Sequence, residues 1–350
     1  MSRREVVLVV VATVVGMLLI EVAARVYYGP LPKSLLDWSN FTVEARRPQS
    51  ERTDRSIMPD REMGWVGVPN FADAMQSRNA GGLRTMPAMA GGPPILAVGD
   101  SFTYGAETRD TQTWPYHLQE LLHRSVVNGG EPGYGLDQIV LRAEGLAKSV
   151  KPGFVIVSFI ADDVQRSELS YAWGREKPYF VLNGENLELR NVPVPPNPDS
   201  LSKLPIWEHW IGWSYMANVV RNHLIADQQV YFGDHVRALP PGSGEHLACP
   251  LMKRLSGLGI PTLVVAQYAP TGWDHASYGK DAVRISQEVL QCAEKAGLAT
   301  LDLFPSMDAT MKQRGRSALF ADRTGHHSAA GNRFVAEQIA ADLKKRNLVE

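Results

Sequence analysis

The chain predicts an α/β fold: a doubly wound, five-stranded parallel sheet, with an N-terminal transmembrane helix and an inserted hairpin and helix segment. Three observations predict it. Apolar runs of strand length recur at 95–98, 125–128, 154–159, 261–268 and 299–304. Helical patterns at 114–123, 136–149, 281–296 and 329–345 separate several of them. That alternation argues for a parallel sheet covered on both faces. The third observation is an apolar stretch at 6–20, far from the others.

At 350 residues the chain can hold one large α/β domain with extras. Its formal net charge is −1, which offers nothing to nucleic acid. The apolar content of 44% is that of an ordinary globular protein. No repeat, low-complexity tract or long charge run interrupts it. There is no Cys-x-x-Cys and no His-Glu-x-x-His, so no metal site is signalled and no cofactor is expected.

Arg3 and Arg4 precede the apolar stretch, and Glu21 and Arg25 follow it, four apart on one helical face. The length suits a bilayer crossing if residues 22–26 reach the interface. Tyr27 and Tyr28 then fall at headgroup level, and the early arginines favour a cytoplasmic N-terminus with an exported remainder. An uncleaved anchor is the expectation, because Glu21 and Arg25 are out of place in a cleavage region. A signal peptide cut after Val22-Ala23-Ala24 and a buried helix are the other readings. If the source is bacterial, the domain faces the periplasm or cell exterior.

The expected organisation is an anchor over 1–28, a stalk and lead-in over 29–92, and the main domain over 93–350. In the lead-in, segments 64–70 and 81–84 read either as short strands or as irregular chain packed on the domain edge. An insertion at about 165–245 separates the third and fourth strands. Within it, Asn183-Gly184 between alternating runs signals a hairpin. The prolines of 192–198 then require extended chain. The aromatic stretch 207–215 reads as part of a helix running to about 225. Its rings suit core packing, an acyl or glycan groove, or a membrane surface. The cysteines, Cys249 and Cys292, each precede a strand; spacing alone leaves a bridge and two buried thiols both open.

Residues 95–105, Ile-Leu-Ala-Val-Gly-Asp-Ser-Phe-Thr-Tyr-Gly, are the most informative in the chain. An apolar strand ending in Gly99-Asp100-Ser101 holds one hydroxyl at the rim of a sheet. A serine is a weak nucleophile without a base beside it. A candidate base lies near the far end, in Asp322-Arg-Thr-Gly-His326-His327-Ser-Ala-Ala-Gly331. Thr103 stands where the nucleophile elbow of α/β-hydrolases needs glycine, so that motif is excluded. Ser101, Gly133 and Asp162 all fall just after strand ends, where open parallel sheets build their sites.

An early Gly-Asp-Ser with Asp and His together late resembles the SGNH (GDSL-type) hydrolases, over roughly residues 93–346. The resemblance implies a flavodoxin-like fold and four blocks meeting at one pocket. Ser101 matches the nucleophile, with its own amide as one oxyanion donor. Gly133, in Gly129-Gly-Glu-Pro-Gly133-Tyr-Gly135, matches the glycine donor. Asp162 stands where the family has an asparagine donor, and this is the main departure. An ionised carboxylate repels an oxyanion, so Asp162 is protonated, turned away, or the sign of a weak enzyme. His326 matches the base, in a run resembling the family's His-x-Asn-x-x-Gly, and His327 is then a neighbour in the substrate groove. Asp322 matches the residue that orients His326, although it lies four residues before the histidine rather than three, a bulge that Gly325 allows. The implied activity is a serine-dependent ester hydrolase acting on O-acyl, chiefly acetyl, esters of cell-envelope glycans or lipids. Transfer of the acyl group to a polysaccharide, and a non-catalytic glycan-binding or assembly role, are the alternatives.

Overall fold

The structure is a computed structural model that describes residues 2–28, 55–89, 91–173, 175–184, 186–195, 213–217, 235–274, 276–321 and 325–348. Two compact units are distinguished. One holds the N-terminal helix and residues 213–217; the other holds the parallel sheet and begins at Asp54.

The first unit is built on α1 (Arg3–Tyr28). Within Arg3–Val26 the most apolar 18-residue window has a mean hydropathy of 2.8 and is 0% buried. The helix is therefore long and apolar enough to cross a membrane, and the buried-helix reading does not hold. Glu21 and Arg25 form an ion pair at 3.1 Å. Glu21 also accepts from the amides of Tyr215 (2.9 Å) and Met216 (3.0 Å). Arg25 lies over the ring of Tyr215, 4.3 Å from its centroid. The charges that end the apolar run thus have partners within their own unit. The rest of the aromatic stretch 207–215 lies outside the described residues, apart from 213–215.

The second unit opens with a hairpin, β1 (Ile57–Asp60) and β2 (Gly64–Gly67). Then come β3 (Ile95–Val98), α2 (Ser101–Tyr104), α3 (Trp114–Leu122), β4 (Val126–Asn128) and α4 (Leu136–Val150). Next are β5 (Phe154–Phe159), α5 (Ala161–Arg166) and the hairpin β6 (Tyr179–Asn183) and β7 (Asn186–Arg190). The chain continues with α6 (Ser243–Ser256), β8 (Thr262–Ala266), α7 (Ala276–Lys295) and β9 (Ala299–Asp302). It finishes with α8 (Phe304–Arg314) and α9 (Ala329–Lys345).

The sheet has five strands in the order β9-β8-β5-β3-β4, and each neighbouring pair is parallel. Counted along the chain, the order is 2-1-3-4-5, the flavodoxin-like doubly wound arrangement predicted from sequence. Every residue of β3, β5 and β8 is buried. Strands covered on both faces read as continuous apolar runs, which is why they were visible in the sequence. The winding reverses between β3 and β5. Crevices form there, beyond the carboxyl ends of the strands.

Two helices had no clear sequence signal. α6 contains Pro250, which reads as a breaker in an isolated sequence. α8 starts at Phe304-Pro305, where proline in the first turn is favourable; the fifth apolar run therefore ends at Asp302 rather than 304. Cys249 on α6 and Cys292 on α7 are joined by a disulfide, which decides the pairing left open by spacing.

Segment 55–89, read from sequence as a lead-in, packs into this unit. Trp65 is buried against Tyr134, their rings edge to face at 5.4 Å. Arg78 makes a fully buried ion pair with Glu131 at 2.8 Å. A buried pair whose hydrogen bonds are satisfied locks two segments in one register, whatever its net stability.

Candidate active site

The serine is set by its turn. A Cβ on Gly99 would lie 2.1 Å from Thr103 Oγ1 and 2.6 Å from the Ser158 carbonyl, so only glycine fits between β3, β5 and α2. Asp100 then caps α2, its carboxylate accepting from the Phe102 amide at 2.9 Å. Ser101 begins the helix, at the sheet's switch point. Beneath it, Arg166 lies 3.6 Å from Asp100 and also pairs with Asp163. Burial, and then the nearby Asp100 carboxylate, hold the Asp163 carboxyl well above the usual range.

His326 arrives from the loop between α8 and α9. A bridge between Phe320 and His327 closes that loop, with Ala321 N–H donating to the His326 carbonyl at 2.9 Å. Ser328 caps α9, accepting from Gly331 N–H at 3.1 Å. His326 Nε2 lies 2.9 Å from Ser101 Oγ. The Phe102 ring flanks the imidazole, centroids 5.4 Å apart.

His327 does not line a groove. It is 2% exposed and stacks on Phe320, with the Phe102 ring edge-on. Its Nε2 meets Gln267 Oε1 at 2.9 Å, and Gln267 in turn donates to Ser158 on β5. Burial drives its pKa down to about 3. Neutral and anchored, His327 pins the loop that carries His326; the sequence placed it in the groove because the wrong neighbour of a pair can look equally polar.

Asp322 lies outside the described residues. A carboxylate does meet the other face of His326: Glu107 Oε1 is 3.2 Å from Nδ1. Glu107 sits on the turn following α2, two residues past Gly105. The sequence carries no signal for it, because Glu107 lies 219 positions from the histidine it meets.

Gly133 has φ +79°, a conformation that suits glycine. Its amide and that of Ser101 have no hydrogen-bond acceptor among the described residues. The Gly133 loop is held from both sides. Trp65 Nε1 donates to the Pro132 carbonyl at 3.0 Å, and Tyr134 hydroxyl donates to the Trp65 carbonyl at 2.6 Å. Gly130 packs so closely that a Cβ would sit 2.3 Å from the Tyr104 amide on α2.

Asp162, near the start of α5, accepts a hydrogen bond from the Tyr278 hydroxyl on α7. Burial, and then the Asp162 carboxylate, push that hydroxyl above its ordinary pKa, so it stays protonated and donates. One carboxylate oxygen is therefore engaged with α7. Tyr278 carried no motif and could not be paired with Asp162 from sequence. Among the described residues no cluster of His, Cys, Asp or Glu could hold a metal ion.

Solved structures resemble this one. An acetyl-xylooligosaccharide esterase from Geobacillus stearothermophilus, in mutant form, aligns with a TM-score of 0.45 and 15% identity, covering 73% of this chain and 95% of its own. A lipase/acylhydrolase from Enterococcus faecalis gives 0.42 and 14%, covering 72% and 96%. A psychrotrophic esterase from Pseudoalteromonas gives 0.42 and 12%, covering 74% and 100%. No family model and no curated protein matches the chain. The sheet order is that of a doubly wound, flavodoxin-like fold. At these identities the likeness concerns the fold alone, and a functional reading rests on the geometry of the site.

Proposed function

We propose that the protein is a serine-dependent ester hydrolase, anchored by α1, that removes O-acyl groups, chiefly acetyl, from cell-envelope glycans or lipids. The observation that carries this reading is the 2.9 Å contact between Ser101 Oγ and His326 Nε2 at the sheet's switch point. A serine and an imidazole at that distance form the nucleophile and general base of acyl transfer.

Ser101 Oγ attacks the ester carbonyl while its proton passes to His326 Nε2. The tetrahedral oxyanion accepts from the amides of Ser101 and Gly133. Preorganised donors of this kind are worth several kcal/mol in the transition state. The C–O bond to the alcohol then breaks, and His326 returns its proton to the leaving oxygen. Water, deprotonated by His326, attacks the acyl-serine, releasing the carboxylic acid and restoring Ser101. A sugar hydroxyl in place of water would give transfer rather than hydrolysis by the same residues. In this reading Asp162 is turned toward Tyr278 and two backbone donors make the hole.

The location is supported by the apolar helix and by the Cys249–Cys292 disulfide, which persists in oxidising compartments outside the cytosol. An outward-facing, membrane-held esterase meets envelope polymers and lipids, hence the substrate class.

A fluorophosphonate probe on the purified full-length protein tests the enzymatic reading. Labelling of wild type that disappears in Ser101→Ala and His326→Ala is expected. Folded wild-type protein that takes no label would overturn it and leave the binding or assembly role. Product analysis with acetylated glycans, with and without a sugar acceptor, separates hydrolysis from transfer.

A further inference from the structure

We infer that Glu107 is the positioning carboxylate for His326. The inference rests on the reading of Ser101 and His326 as nucleophile and base. The three groups are in series: Glu107 Oε1 to Nδ1 at 3.2 Å, Nε2 to Ser101 Oγ at 2.9 Å. A carboxylate at Nδ1 fixes the tautomer in which Nδ1 carries the proton and Nε2 is free to accept from the serine.

Four further observations set Glu107 apart from a passing surface acid. Its backbone has φ +66°, which a non-glycine side chain adopts at a cost and which surrounding structure must enforce. The enforcing contacts are present on both sides of it. The amides of Gly105 and Ala106 both donate to the Ser101 carbonyl at 3.0 Å, coupling the turn to the nucleophile's own residue. Thr108 Oγ1 closes the turn on the Gly105 carbonyl at 2.9 Å. Buried Arg84 then grips the outer carbonyls, Gly105 at 3.2 Å and Thr108 at 2.6 Å, and is itself paired with Asp110 at 2.5 Å. The turn is thus rigid where a surface loop would be loose.

In the reaction the proton leaving Ser101 goes to Nε2, the Nδ1–H stays on the ring, and Glu107 accepts that hydrogen bond as the imidazolium forms. Among the described residues the groups that face the ring are Glu107 at Nδ1, Ser101 at Nε2, the Phe102 ring at its side and neutral His327 next in the chain.

The test uses the full chain in detergent, with Glu107→Ala, Glu107→Asp and Asp322→Asn. Ring-nitrogen NMR of labelled histidine reads the His326 tautomer, and esterase kinetics run in parallel. In Glu107→Ala the Nε2–H tautomer should appear, and kcat should fall about ten- to a hundred-fold with KM nearly constant. That is less than the ~10⁴ for a buried triad carboxylate, because Glu107 faces solvent. Glu107→Asp should recover part of both. A wild-type tautomer and kcat in Glu107→Ala would overturn the inference, as would loss of both in Asp322→Asn alone, which would return the role to the histidine loop. The tautomer readout does not depend on turnover. If wild type took no fluorophosphonate label, the esterase reading would fall while the NMR still decided whether Glu107 orients the ring.

Discussion

Ser101 Oγ and His326 Nε2 lie 2.9 Å apart although 225 residues separate them in the chain. In the proposed esterase that distance makes the two side chains one device, nucleophile and base. Ser101→Ala and His326→Ala should each lower kcat by about 10⁴-fold or more, and the double variant should be no worse than either single one. Kinetics on a chromogenic short-chain ester checks this. Additive losses would mean the two groups act separately.

The brace supplied by 55–89 should matter to catalysis without touching substrate. Arg84→Lys keeps a charge but loses the fork that holds the Gly105 and Thr108 carbonyls. Trp65→Phe keeps a ring but loses the hydrogen bond to Pro132 beside Gly133. Each should cost about 1–2 kcal/mol of stability and several-fold in kcat. Arg333→Ala, which removes an exposed pair with Glu337, should change neither. Thermal denaturation and steady-state kinetics on the three variants measure the contrast.

Asp162→Asn should raise ester hydrolysis. The amide oxygen of an asparagine can still accept from Tyr278, which leaves its NH₂ as a donor the carboxylate cannot supply. One added oxyanion donor is worth up to about 10²–10³-fold, so a gain of about tenfold is a modest expectation. A large fall in kcat instead would assign the carboxylate a task of its own.

His327 should make the fold acid-sensitive. Its folded pKa is depressed to about 3, against about 6.5 in an unfolded chain. Between those values the unfolded state binds the extra proton. This contribution to stability is therefore complete above pH 6.5 and is lost as pH falls toward 3. Between pH 7 and pH 5 the loss should be about 2 kcal/mol. The raised Asp163 carboxyl acts with the opposite sign, so the measurement is a difference. Urea unfolding of wild type and His327→Gln at both pH values should show this slope only in wild type.

Much of the fold was legible because its physics is local. Strands buried on both faces must be apolar throughout, so 95–98, 154–159 and 261–268 announced themselves, the last as a strand over 262–266. The last helix, 329–345, followed from its helical period. Helix α6 did not, because the effect of Pro250 depends on what packs around it.

The sequence by itself determined the apolar helix, the doubly wound sheet, the serine at the rim and His326 as its partner. Short motifs fix those features through backbone geometry and burial. Only the tertiary structure showed that Glu107 meets the imidazole, which histidine is buried, that the cysteines join and that Tyr278 takes up Asp162. Those are contacts between side chains remote in sequence. Nothing in a residue's neighbours along the chain records what the folded backbone brings within 3 Å of it.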